Sequence, residues 1–373
     1  MALNFLGNFN IDKLNIFSNP FSMFFPKKMV GIDIGTASVK IVELSRWGQG
    51  KTLENYGEIK SASLYKEPFR NVDKGTYLLS NYFVSKVVRA VLDEARIKTK
   101  AAVFSIPDFS TFCVSFDLPP MTKKEIPEAV YYNAPQYIPL PITETTLDWK
   151  LISGTPGDKQ SSLKIFLVAI PNQIIQDYQS VAQMAGLELY AVEAEALGLA
   201  RSLVKENKKT ICLIDIGVQS TTINMIDKGN LKKSYSFDFA GSQLTYAVSS
   251  VLGLGHIEAE ELKNKEGLVS NQENIAKTLY LLIDPLLLEV RKIISDFYAQ
   301  EGRDTEEIYL TGGTSALPGL KEYFIEVLKK KVIIPNCFSE FLYPPILGQT
   351  LEKIAPSFSV AAGAALGGLE TQN

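Results

Sequence analysis

The stretch "MVGIDIGTASVKIVEL" at residues 29–44 returns 182 residues later as "ICLIDIGVQSTTINMI" at 211–226. Asp33 matches Asp215, and around that pair Ile32 matches Ile214, Ile34 matches Ile216, Gly35 matches Gly217, Ser38 matches Ser220 and Ile41 matches Ile223. Each copy reads as a strand that ends on an acid, a glycine turn carrying hydroxyl residues, and a second strand rich in β-branched residues. At 373 residues the chain is also longer than one hydrophobic core usually organises. A repeated unit in a chain of that length predicts two related α/β lobes. Core packing explains the repeated isoleucines, but it gives no reason to repeat an acid, a glycine and a serine at the same offsets.

The chemistry of the turn supplies that reason. Gly35 and Gly217 let backbone amides approach an anion closely, and Thr36, Ser38, Ser220 and Thr221 add hydroxyl donors on the same loops. Such loops suit phosphates. A carboxylate beside a phosphate needs a cation between them, so Asp33 and Asp215 are expected to face a hydrated Mg2+. A third phrase, "IYLTGGTSALPGL" at 308–320, is an apolar strand opening into Gly312 and Gly313, where a flat base or sugar can lie against bare backbone. The phrase "SRWGQGKT" at 45–52 ends like a phosphate-binding P-loop. Ser45 stands where the leading glycine belongs, and the strand-like "LENYGEIK" follows where a helix is required, so this segment is expected to be a hairpin turn.

Charge and composition exclude other chemistries. With 38 Lys and Arg against 41 Asp and Glu and no basic stripe, the chain is not built as a dedicated nucleic-acid binder. His256 is the single histidine, which leaves no supply for a Ser-His-Asp or Cys-His site. Cys113, Cys212 and Cys337 are scattered without CxxC spacing, against a zinc site or a disulfide framework and in favour of the reducing cytoplasm. No run approaches the roughly 18 residues of apolar sequence that span a bilayer. Residues 1–28 lack the pattern of a signal peptide.

Along the chain, residues 1–28 are expected to form an aromatic N-terminal tail, and 29–99 a strand meander followed by an amphipathic helix over 77–99. Residues 100–188 alternate strands and helices irregularly and are expected to form a small inserted α+β subdomain. A helix follows over 189–208, read from "YAVEAEALGLARSLV", and then the second meander over 209–232. Residues 233–304 are helix-dominated, with a long helix interrupted at Pro285. The last part, 305–373, returns to strand and closes on the small-residue helix "SFSVAAGAALGGLE", placed by its composition at the interface of two lobes.

Three phrases in this order, with "EAEALGLARSL" and "VAAGAALGGL" as connecting helices, resemble the actin-like ATPase superfamily. The resemblance covers nearly everything from Met29 to Leu369 and implies an actin-like, ribonuclease H-like, two-lobed ATPase fold. Within the superfamily, "IPDFSTFCVSFDLPPMTKKEIPEAVYYNAPQYIPLPITETTLDWKLI", "EAEALGLAR", "AGSQLT" and "EAEELK" are similar to the FtsA family and, more closely, to the PilM family of type IV pilus assembly. Actin and the heat-shock chaperones share the nucleotide cleft but not this insertion.

The resemblance implies bound ATP with Mg2+. Asp33 and Asp215 would face the cation, Gly35, Thr36, Ser38, Gly217, Ser220 and Thr221 the phosphates, and Gly312 and Gly313 the adenosine. It also implies that Glu260 and Lys263 touch ribose and base, and that Glu195, with Glu193 as a nearby substitute, orients the attacking water. At most slow hydrolysis is expected. The chain stops at "LGGLETQN" without the terminal amphipathic helix that FtsA proteins use as a membrane anchor. The resemblance instead implies a cytoplasmic adaptor recruited to the inner membrane by the cytoplasmic N-terminal tail of PilN, in contact with other pilus-machine components. The alternatives are an FtsA-like filament-forming ATPase and a cytoplasmic component of a type II secretion system.

Overall fold

The computed structural model describes residues 4–5, 27–61, 80–205 and 208–371. Apart from Asn4, Phe5, Lys27 and Lys28, the aromatic tail expected over 1–28 lies outside the described residues, as does the start of the helix expected from 77. The chain divides into two compact units, one comprising 1–202, 338–348 and 360–373, the other 203–337 and 349–359.

The first unit holds β1 (Asn4–Phe5), β2 (Lys27–Ile34), β3 (Ser38–Trp47), β4 (Gly50–Lys60), α1 (Asn81–Glu94), β5 (Ala101–Ile106), β6 (Phe112–Leu118), α2 (Ile126–Asn133), β7 (Thr145–Ser153), β8 (Leu163–Pro171), α3 (Asn172–Ala185), β9 (Glu188–Ala194) and α4 (Glu195–Leu203). Its main sheet runs β1-β9-β5-β2-β3-β4, with β2-β3-β4 an antiparallel meander and β5 and β9 added in parallel. β2 is buried on both faces from Met29 to Ile34, as a central strand flanked by parallel pairing must be, which is why its sequence is a nearly continuous apolar run. The turn at 47–50 joins β3 to β4 as a plain hairpin, Trp47 pairing with Gly50.

A separate three-stranded antiparallel sheet, β6-β8-β7, packs α2 over Phe116, Leu118, Leu163, Ile165 and Leu167. The segment with its own sheet is therefore narrower than 100–188: β5 belongs to the main sheet, and α3 rests on β8, β9 and α1. The helix expected over 189–208 is corrected more substantially. Residues 188–194 form β9, and helix begins only at Glu195. "YAVEA" at 190–194 has the composition of a helix, but parallel pairing with β5 fixes it as a strand, tertiary context overriding local preference.

The second unit contains β10 (Thr210–Ile216), β11 (Thr221–Asp227), β12 (Asn230–Phe237), α5 (Gly241–Leu252), α6 (His256–Glu266), α7 (Glu273–Glu301), β13 (Glu307–Thr311), α8 (Leu320–Leu328) and β14 (Lys331–Ile333). Its sheet order, β12-β11-β10-β13-β14, repeats the first: an antiparallel meander whose first strand takes on parallel neighbours. One face of this sheet, with Cys212, Ile214, Ile216, Ile223, Met225, Ile308 and Leu310, packs in a core with Ile275, Leu279, Ile283, Leu286 and Val290 of α7. Their spacing of three and four residues is the helical period. α7 runs unbroken through Pro285, contrary to the interruption expected there; packing of its apolar stripe outweighs the one hydrogen bond the proline removes.

The final helix, α9 (Gly348–Thr371), gives residues 349–359 to the second unit and the rest to the first. Within the first unit its small residues permit close backbone approach. A Cβ on Gly31 would meet the Ala361 carbonyl oxygen at 2.0 Å, and one on Gly363 would meet the Gly198 carbonyl oxygen of α4 at 2.0 Å. No described helix is long and apolar enough to cross a membrane.

Candidate functional site

The repeated phrase folds twice into one turn. In the first unit the Gly35 amide donates to the Ser38 carbonyl at 3.0 Å; in the second the Gly217 amide donates to the Ser220 carbonyl at 2.9 Å. A Cβ would stand 3.2 Å from the Ser38 oxygen or 2.9 Å from the Ser220 oxygen, so the close approach itself selects glycine at both places.

In the first unit, Asp33 is buried at the end of β2, within 3.9 Å of the Lys40 ammonium on β3, and the Ser105 hydroxyl of β5 donates to it at 3.5 Å. Thr36 is half-buried on the turn and Ser38 is buried. Lys40, which the sequence reasoning did not single out, pairs directly across from Asp33 in the β2–β3 register. Its signal was its position in the phrase, seven residues past the acid.

In the second unit, Asp215 ends β10 with Thr222 of β11 on one side and Thr311 of β13 on the other. The loop 217–218 is held from two directions. The Gly241 and Ser242 amides at the start of α5 donate to the Gly217 and Val218 carbonyls, both at 3.0 Å, and the Thr314 hydroxyl donates to the Gly217 carbonyl at 3.4 Å. Thr221 departs from its expected role: it is fully buried and its hydroxyl donates to the Phe239 carbonyl at 2.8 Å, so it fastens the loop to the following segment. The Gly312 amide and the Thr311 hydroxyl both donate to the Pro356 carbonyl, at 3.0 and 2.8 Å. Gly313 is exposed, and a Cβ added to it would meet nothing within 4 Å, as a surface open to a flat ligand needs.

Glu260 and Lys263 lie on α6 as an ion pair at 2.7 Å. The Lys263 ammonium also donates to the Thr245 hydroxyl at 2.8 Å and the Gly241 carbonyl at 3.3 Å, and Thr245 in turn donates to Glu260. Burial pushes the Lys263 pKa down, opposed by Glu260; burial also works to raise Glu260, but Lys263, Thr245 and Asn264 hold it below the usual carboxylate range. Lys263 is thus a buried anchor of the α5 N-terminus.

Glu195 is the first residue of α4 and half-buried. The adjacent Ala196 amide donates at 3.1 Å to Asp108, a buried carboxylate that caps this helix and fixes where Glu195 begins it. Glu193 is not on the helix at all. It is a buried strand residue held by Arg201 Nη1 at 2.9 and 2.8 Å, with Arg201 also donating to the Gly363 carbonyl at 2.9 Å. It holds the helices together and does not replace Glu195. Burial pushes the Cys212 and Cys337 thiols up to about 12, which keeps them unreactive.

Do the residues of these loops fit Mg2+ and phosphates? The amides and hydroxyls of the two turns are donors of the right kind, and Asp33 and Asp215 are hard oxygen acceptors. Thr222 Oγ1 and both amide atoms of Asn224 are buried without any hydrogen-bond partner, a deficit that a ligand or its water would remove. Among the described residues no three His, Cys, Asp or Glu side chains form a direct metal cage. A cation bound to Asp33 or Asp215 would keep most of its water.

A family model described as Type IV pilus assembly protein PilM matches residues 31–369. The chain belongs to that family. Membership spans both units, the inserted three-stranded subdomain and all three loops. Among solved structures, the PilM-PilN type IV pilus biogenesis complex matches with a TM-score of 0.79 at 22% identity, covering 91% of this chain and 98% of that one. MreB5 of Spiroplasma citri bound to ADP matches with a TM-score of 0.54 at 13% identity, covering 93% and 99%. The cell division protein FtsA of Pseudomonas aeruginosa is 22% identical, over 93% of this chain and 90% of its own length. The fold of this PilM-family chain is the actin-like two-lobed fold.

Proposed function

We propose that this PilM-family chain is an ATP-binding adaptor of type IV pilus assembly that docks the cytoplasmic N-terminal tail of PilN. The observation that carries the nucleotide half is the doubled turn, in which Gly35 with Ser38 and Gly217 with Ser220 make the same amide-to-carbonyl bond. Each unit supplies one phosphate loop: Gly35, Thr36 and Ser38 from the first, Gly217 and Ser220 from the second. Asp33 and Asp215 take the Mg2+ through water, Gly312 and Gly313 take the adenosine, and Glu260 with Lys263 closes the ribose side. Lys40 moves its charge from Asp33 to a phosphate when one is present.

The partner half rests on the family and on the inserted subdomain. A protein of this family has been solved in complex with PilN, which supports PilN as the partner. The insertion exposes Tyr131, Tyr132 and Tyr137, amphipathic side chains of the kind that anchor peptide interfaces. Such a tail would hold a cytoplasmic adaptor at the inner membrane. Glu195 orients water for at most slow hydrolysis, so nucleotide binding serves assembly more than turnover.

Titrating a synthetic PilN tail into the chain with and without MgATP tests both halves at once. Tail binding that is lost when the β6-β8-β7 subdomain is removed, with the remaining fold intact by circular dichroism, is the expected result. Unchanged affinity in that deletion would place docking elsewhere.

A further inference from the structure

The two copies of the repeated phrase differ at two positions that lie on one sheet face, and the difference bears on the cation. Across from Asp33 stands Lys40, and two residues further along the same strand stands Val42. At the matching offsets the second copy has Thr222, directly across from Asp215, and Asn224, across from Leu213. Directly opposed residues of an antiparallel pair share a face, so Asp215, Thr222 and Asn224 project together. The residues between them, Ile214, Ile216, Ile223 and Met225, sit in the apolar core on the other face.

Val42 shows that hydrocarbon fills this position in the same turn. In its place Asn224 is fully buried, and neither its amide oxygen nor its amide nitrogen has a hydrogen-bond partner; Thr222 Oγ1 is buried and equally unpartnered. Leaving such groups unmade is costly, and a sheet that tolerates three orphaned atoms in one row does so where something polar completes them. The first copy already sets an ammonium 3.9 Å from its carboxylate. Directly across from Asp215 the second copy sets a neutral hydroxyl, Thr222, which suits the water shell of a cation.

We propose that Thr222 and Asn224 bind waters of the shell of the divalent cation that accompanies the nucleotide, so that the second unit's sheet holds this cation through Asp215 and these two neutral side chains. The inference rests on the nucleotide reading above. Thr222, opposite Asp215, takes the nearer water. Asn224 lies about 7 Å further along the strand, within reach of a second water hydrogen-bonded to the first.

Thr222→Val and Asn224→Val test it: the first keeps the side-chain shape and removes the hydroxyl, and the second places hydrocarbon where the first copy carries Val42. Calorimetric titration with ATP in MgCl2 and with ATP in EDTA is read beside the melting temperature of the nucleotide-free chain. Each variant is expected to melt at or above the wild-type temperature, to lose about threefold to tenfold in affinity for MgATP, and to bind ATP in EDTA as wild type does. Unchanged MgATP affinity in the folded variants overturns the proposal, as does an equal loss with and without Mg2+, which would mark general damage to the loop. Loss of fold in both variants makes the pair purely structural and overturns it too. A wild-type chain that binds no ATP removes the nucleotide reading itself, whereas wild-type binding matched by both variants removes only this inference.

Discussion

Gly312 lies so close to Asp215 that a Cβ on it would stand 2.3 Å from the carboxylate Oδ1. Its backbone, at φ 83° and ψ 164°, occupies a region that is essentially closed to residues with a side chain. Gly312→Ala therefore faces both strain and collision, and the cheapest relief is to displace Asp215. We expect a loss of about 2–4 kcal/mol in unfolding free energy and a collapse of MgATP affinity. Gly313→Ala meets nothing within 4 Å and leaves stability unchanged, so any fall in ATP affinity there reports contact with the ligand. Thermal melts and nucleotide titrations on the two variants separate these outcomes.

The buried pair Glu193–Arg201 predicts an asymmetric response to mutation. Burial pushes the Glu193 carboxyl up and the Arg201 guanidinium pulls it back, so the acid depends on that one neighbour. Arg201→Met strands the acid and is expected to cost about 3–5 kcal/mol, while adding Glu193→Leu recovers most of the loss. Urea unfolding of the single and double variants decides. A cost below about 1 kcal/mol for Arg201→Met would mean that the acid has other support.

Asp148, in β7 of the inserted subdomain, gives the chain a pH-dependent stability. Burial pushes its carboxyl up to about 7, although the Trp149 amide donates to it at 2.8 Å. A carboxyl raised in the fold stabilises fully below its unfolded value near 4, and that contribution is lost as pH rises through about 7, at most about 4 kcal/mol in all. Asp148→Asn removes the slope. It should match wild type near pH 4 and exceed it by a few kcal/mol near pH 8; parallel pH–stability curves for the two proteins would show that the carboxyl is not strained.

Glu195→Ala should lower ATP turnover about tenfold or more while sparing ATP affinity, because the residue is proposed to act on water and not on the nucleotide. Asp108→Asn keeps the α4 cap acceptor and serves as the comparison. Equal turnover in Glu195→Ala and wild type, above a blank without protein, takes Glu195 out of that role.

Much of the fold and of the candidate site was legible because its signals are short. The strand-turn-strand phrases, their glycines and the paired glycines at 312–313 depend on residues a few positions apart, and the continuous apolar runs mark strands buried on both faces. What local pattern misjudged was set by distant neighbours. "YAVEA" became part of β9 because β5 lies beside it; Glu193 became a buried partner of Arg201; the Thr221 hydroxyl went to the Phe239 carbonyl.

By itself the sequence determined that this chain would duplicate an acid-ending strand and a glycine turn, since the residues that make the turn are the residues that define the repeat. Only the tertiary structure decided which atoms those turns leave unpaired. The orphaned Thr222 and Asn224 arise from burial in the packed sheet, and the contact of Gly312 with Asp215 arises from close approach between segments far apart in the chain. Register and burial are properties of the packed sheet, and no local window contains them.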